Sequence, residues 1–108
     1  MGIEFLEPWV ATGEYGDNLV EELRKEVSER HLMWNRKVRP IGQRTDADDV
    51  LFEIEGQVPC YAVVHLTWSG ESEESPHSPE TRLFASLADW IESGMLADHR
   101  EFIGEARS

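Results

Sequence analysis

The sequence predicts an α+β fold: an N-terminal helix, a three- to four-stranded antiparallel meander, and a C-terminal helix packed on one sheet face. Three observations predict it. Residues 18–31 repeat apolar side chains at helical spacing, and residues 37–68 break into short β-rich runs separated by polar turns. Residues 86–102 return to helical spacing behind a capping signal. The 108 residues (1–108) fit a single domain, and no shift of composition divides them.

Residues 1–16 hold Pro8, Gly13 and Gly16 among scattered apolar side chains, which reads as a loop or short edge piece. Phe5, Leu6, Trp9 and Val10 would hold it to the body. The first helix begins near Asn18, where Asn18-x-x-Glu21 resembles a capping box, and ends around His31. Leu19, Val20, Leu23 and Val27 form its apolar stripe, while Glu21, Glu22, Arg24, Lys25, Glu26 and Glu29 fill the solvent face. Lys37 to Arg44 belongs at a sheet edge, because Pro40 cannot donate to a ladder and Gly42 packs nothing. After a polar turn, Val50 to Glu55 alternates: Val50, Phe52 and Ile54 on one face, Leu51, Glu53 and Glu55 on the other.

Cys60 to Trp68 is rich in β-branched and aromatic residues and apolar on both faces, the pattern of a central strand covered on both sides. Residues 69–80, polar and punctuated by Gly70, Pro76 and Pro79, read as a surface loop. Thr81 to Phe84 supplies a short fourth strand. Ser86 and Asp89 then cap a helix that turns Leu87, Trp90 and Ile91 to the core. Gly94 weakens that helix, and Met95 to Phe102 continues it. Trp68 and Trp90 fall at core positions by periodicity, whereas Trp9 and Trp34 are not protected by it. The favoured reading has both cap the ends of the core, and the alternative leaves them exposed at an interface.

Composition narrows the function classes. Acidic residues number 22 against 10 basic, a net charge of −12. That opposes non-specific nucleic-acid binding, whose affinity comes from neutralising phosphates. It attracts a basic partner at long range. No run approaches the ~18 apolar residues of a membrane span, and the first residues lack the basic start and apolar stretch of a signal peptide. Cys60, the one cysteine, can form no internal disulfide and suits a reducing compartment, so the expected location is cytoplasmic. His-Glu-x-x-His, Cys-x-x-Cys, Gly-rich phosphate loops and the Gly-x-Ser-x-Gly elbow are all missing. No catalytic residue, metal ligand or cofactor is therefore assigned.

The charge is unevenly placed. From Arg30 to Arg44 there are five basic residues and no acidic one, leaving −17 on the remainder. The favoured explanation is pairing across a ladder with the strand carrying Glu53 and Glu55, worth about 0.2–1 kcal/mol per pair. The functional alternative is a receptor for phosphate or carboxylate, which the guanidinium fork suits. A second candidate lies on the central strand. His65, Tyr61 and Thr67 form a polar stripe there, and with Arg39 or Arg44 they compose an expected ligand-binding surface for an anion.

Lys37-Val38-Arg39-Pro40-Ile41, Asp48-Asp49-Val50-Leu51-Phe52-Glu53, Tyr61-Ala62-Val63-Val64-His65-Leu66-Thr67-Trp68-Ser69-Gly70 and Asp98-His99 together resemble a group of short bacterial proteins of uncharacterised activity. The resemblance implies a single bacterial domain and carries no catalytic residues with it.

Two functional readings follow from these residues. The first is a non-enzymatic protein-interaction module, immunity- or antitoxin-like. Its acidic surface (Asp46, Asp48, Asp49, Glu71, Glu73, Glu74, Glu80) would mask a basic protein. The alternative is a small anionic-ligand binder or enzyme that uses His65, Tyr61 and Thr67 with Arg39 or Arg44.

Overall fold

A computed structural model describes residues 4–12, 16–56, 60–68 and 79–104 of the chain. The architecture is α+β, with a five-stranded antiparallel sheet in sequential order β1-β2-β3-β4-β5. The strands are β1 (Trp9–Ala11), β2 (Val38–Arg44), β3 (Asp49–Ile54), β4 (Tyr61–His65) and β5 (Thr81–Phe84). Helix α1 (Gly16–Glu26) lies between β1 and β2. After β5, α2 (Leu87–Trp90) passes through a π-helical stretch (Ile91–Met95) into α3 (Leu96–Phe102). Among the described residues no helix is long and apolar enough to cross a membrane.

The meander expected from the sequence is present, with five strands rather than three or four. The extra strand precedes the first helix, so the order is strand, helix, four strands, helix. Trp9–Ala11 pairs with Gly42–Arg44 and thereby covers the edge at which β2 was expected to lie. Pro40 is accommodated by a register shift between Pro40 and Gly42, which leaves Ile41 as the extra residue of a bulge. Gly42 is needed there for a second reason. A Cβ at that position would stand 2.6 Å from Cε1 of Phe5, which packs across the bulge.

Both sheet faces are buried, and the alternation along β3 and β4 separates two cores. Val50, Phe52 and Ile54 of β3, with Ala62 and Val64 of β4, pack against Leu19 and Leu23 of α1 and Val27 just beyond it. On the opposite face, Leu51 and Val63 meet Trp9, Phe84, Trp90 and Met95. β4 is thus an interior strand sandwiched on both sides, as its composition predicts. It ends at His65, however. Trp68 is half-exposed with φ at +59°, and it is not a core residue.

The two helical regions depart from expectation in opposite ways. Helix α1 starts at Gly16, so Asn18 lies inside it, and it stops at Glu26, five residues before His31. The C-terminal start is as predicted, with Ser86 Oγ accepting from the Asp89 N–H at 3.1 Å. Gly94 does not break the rod but widens it. A Cβ there would come within 2.8 Å of Cδ1 of Trp90, so the bare Cα of the π-helical turn makes room for that indole. Residues 69–78 of the expected surface loop lie outside the described residues.

Candidate functional site

The structure divides the five predicted ligand-binding residues among three places. Arg39, Glu53 and Tyr61 are direct neighbours across β2, β3 and β4. Arg39 pairs with Glu53 at 2.5 Å, and the Tyr61 hydroxyl reaches the other oxygen of Glu53 at 3.4 Å. This is the ladder pairing that the alternation of charge suggests. Burial, then the Glu53 charge, raises the Tyr61 pKa.

The second place is roughly 13 Å along β3, four residues away. There Asp49 faces His65 across the ladder. Nδ1 of His65 lies 2.6 Å from Asp49 Oδ1, so Nδ1–H donates and Nε2 points away from the carboxylate. Arg44 follows the Gln43–Val50 pair on the other side of Asp49. Its guanidinium forks onto Asp46 at 2.8 and 2.9 Å and touches Asp98 of α3 at 3.4 Å. The hydrogen bond to Asp46 raises the Arg44 pKa and lowers that of Asp46. His65, Asp49, Glu80 and Arg82 line a cleft of about 210 Å³.

The His65 pKa is raised above 6.5 chiefly by the Asp49 hydrogen bond, with the charges of Asp49, Asp48 and Glu80 adding to it against some desolvation. Protonation is therefore favoured by folding. The stabilisation is complete below pH 6.5 and is lost as pH rises through the elevated folded value. With the imidazole half-exposed it is worth well under ~1 kcal/mol. A proton NMR titration is expected to place the His65 midpoint above 6.5, and Asp49→Asn to return it toward 6.5. An unshifted midpoint in the parent protein would contradict the pairing.

The third place holds Thr67, which serves a buried carboxylate instead of a ligand. Glu26 is 0% exposed, and its two oxygens accept from the Thr67 N–H at 2.8 Å and the Trp68 N–H at 2.7 Å. The Thr67 side chain and the carboxyl of Glu22, itself buried, also bond to Glu26. Two ionised carboxylates have no hydrogen to share, so a hydrogen bond between Glu22 and Glu26 requires a proton on one of them. Burial foremost, then Glu22, pushes the Glu26 pKa up despite the backbone donors. Both glutamates were expected on the solvent face. The missed signal is spacing: Leu19, Glu22, Leu23, Glu26 and Val27 fall at i, i+3, i+4, i+7 and i+8, one continuous face.

His31 was also missed. It is buried, with Nδ1 accepting from the Met33 N–H at 3.0 Å and Nε2 donating to the Pro79 carbonyl at 2.9 Å. These bonds fix one tautomer and anchor the segment after α1 to the entrance of β5. His99 and Asp98 act on the N-terminal segment: Nδ1 of His99 contacts the Glu7 carbonyl at 2.6 Å, and Asp98 accepts from the Trp9 indole at 2.9 Å. Among the described residues no three His, Cys, Asp or Glu side chains gather closely enough to hold a metal ion. No family model, curated protein or solved structure matches the chain, so its surfaces are argued from their own residues.

Proposed function

We propose that the chain is a non-enzymatic protein-interaction module that recognises a basic protein through an acidic patch, in the manner of an immunity protein. One observation carries the reading. Asp48 from the β2–β3 turn, Asp49 at the start of β3 and Glu80 from before β5 meet around His65 at one end of the sheet. The His65 N–H donates to the Glu80 carbonyl at 2.9 Å, the Leu66 N–H to the Asp48 carbonyl at 3.1 Å, and Asp49 Oδ1 lies 2.6 Å from the imidazole. Asp48 and Glu80 are exposed. Asp46 joins them in the same turn, although Arg44 neutralises part of its charge. The side chains suited to acid–base chemistry support the same reading. Arg39 and Tyr61 are committed to Glu53, Arg44 to Asp46 and His65 to Asp49, in two rows roughly 13 Å apart along β3.

Immobilised full-length protein tested against a lysate of its source organism is expected to retain one stoichiometric partner of basic isoelectric point. The association rate should fall at least about tenfold from low to high ionic strength, as steered encounters do. Asp48→Lys with Glu80→Lys should slow association, whereas Asp89→Lys on α2 should not. Recovery of no basic protein, or an association rate indifferent to salt, would refute the reading.

A further inference from the structure

The −12 protein carries a second surface of opposite sign, independent of the acidic patch. Helix α1 ends at Glu26, and the chain returns to β2 through 27–37, leaving a groove between the helix and residues 33–38. Leu23, Val27 and Met33 form its floor, each 2–3% exposed, with Val38 at one end. Its volume is about 470 Å³, within the ~300–1,000 Å³ of small-molecule sites. The rim carries Arg24, Arg36 and Lys37, and no acidic side chain lines it. Trp34 stands at the lip with 44% of its surface exposed.

Arg24, Arg36 and Lys37 differ from Arg39 and Arg44. Arg39 and Arg44 are neutralised by Glu53, Asp46 and Asp98. Arg24, Arg36 and Lys37 have no ion pair among the described residues. Arg36 is instead aimed by a 2.6 Å bond from its Nε to the Leu32 carbonyl, which leaves its terminal nitrogens available. Glu55 lines the neighbouring groove on the far side of residues 34–37. An apolar floor under an uncompensated cationic rim selects a ligand that is apolar in body and anionic at one end. The guanidinium and ammonium groups suit a carboxylate, and the indole edge at the lip suits a flat ring.

We propose that the groove between α1 and residues 33–38 is a binding site for a small organic anion with an apolar, ring-bearing body. The test is a heteronuclear NMR titration of the full chain with 2-naphthoate, and in parallel with its neutral analogue 2-naphthylmethanol and with acetate. Naphthoate is expected to shift the Trp34 indole N–H and the amides of Met33, Lys37 and Val38. The neutral analogue should bind about tenfold more weakly, a charged hydrogen bond being lost, and acetate should leave the same resonances unmoved. Arg24→Glu with Lys37→Glu should weaken naphthoate by about tenfold or more, while Arg100→Glu on α3 leaves it unchanged.

Unchanged amide dispersion away from the groove will show that the variants are folded. Equal affinity for the neutral analogue would overturn the proposal, as would shifts confined to another surface. So would a response to poly-glutamate with none to naphthoate, which would make the occupant an acidic chain. Trp34 shifts that track protein concentration alone would overturn it in favour of a second copy in the groove.

Discussion

Trp90→Ala is expected to cost about 3–5 kcal/mol, the largest loss of any single truncation in this chain. Trp90 is 0% exposed and is the centre of the core beneath α2 and α3. Trp9 packs edge-on against it at 5.1 Å between ring centroids, and Phe5 does so at 6.1 Å. Removing the indole therefore opens a cavity and also releases the N-terminal segment. For a domain of this size the thermal midpoint should fall by ~12 °C or more. Trp90→Phe separates the two effects. The indole N–H is buried with no acceptor among the described residues, so phenylalanine forfeits volume but no hydrogen bond. Its cost should be well below that of alanine, and calorimetry on the two variants checks the order. Equal losses would mean that packing volume is not what Trp90 contributes.

Glu26→Ala comes second, at about 2–5 kcal/mol, because the Thr67 and Trp68 N–H groups lose the acceptor they share. A pH series gives this site its own signature. The folded protein holds a proton on Glu26 more tightly than the unfolded chain does. Its contribution is therefore complete below the unfolded value of 4.5 and falls away as pH rises through the raised folded value. The difference in unfolding free energy between parent and Glu22→Gln should display that slope. Glutamine at position 22 offers Glu26 a permanent donor, so the contact no longer requires a carboxyl proton. The variant is expected to gain on the parent progressively as pH rises above 4.5. A constant difference across that window would show that the pair shares no proton.

These two residues also mark where sequence reasoning succeeds and where it stops. Trp90 was legible because its neighbours recur at helical spacing behind the Ser86 cap, and both signals are local. The interior placement of β4 was legible for a similar reason, since β-branched residues on both faces require cover on both sides. β1 was not. It spans only three residues, and what holds it is Trp9 against an indole 81 positions further along. Glu22 and Glu26 were misplaced because residue type was weighed above position. Their spacing put them on the buried face, and the backbone donors that make burial tolerable come from beyond a different strand. At the candidate sites, Arg39–Glu53 could be read as adjacent-strand chemistry. The Arg44–Asp98 contact could not, because β2 and α3 meet only in the complete fold. Of the groove lined by residues 23–38, the basic run was visible but not the apolar floor beneath it.

The clasp between the first described residues and the last helix has a consequence for how the polypeptide is made. The partners Leu6–Met95, Trp9–Asp98 and Glu7–His99 lie 89, 89 and 92 positions apart. At a ribosomal pace of about 5–20 residues per second, Trp9 emerges roughly 5–20 s before the carboxylate that receives its proton donor. Throughout that interval β1 has only its ladder with β2 to hold it, and the face that Trp90 will close is open to the solvent. The α1-side core draws on segments up to residue 66 and can pack as soon as these are made, whereas the opposite face closes only once residues 84–99 have followed.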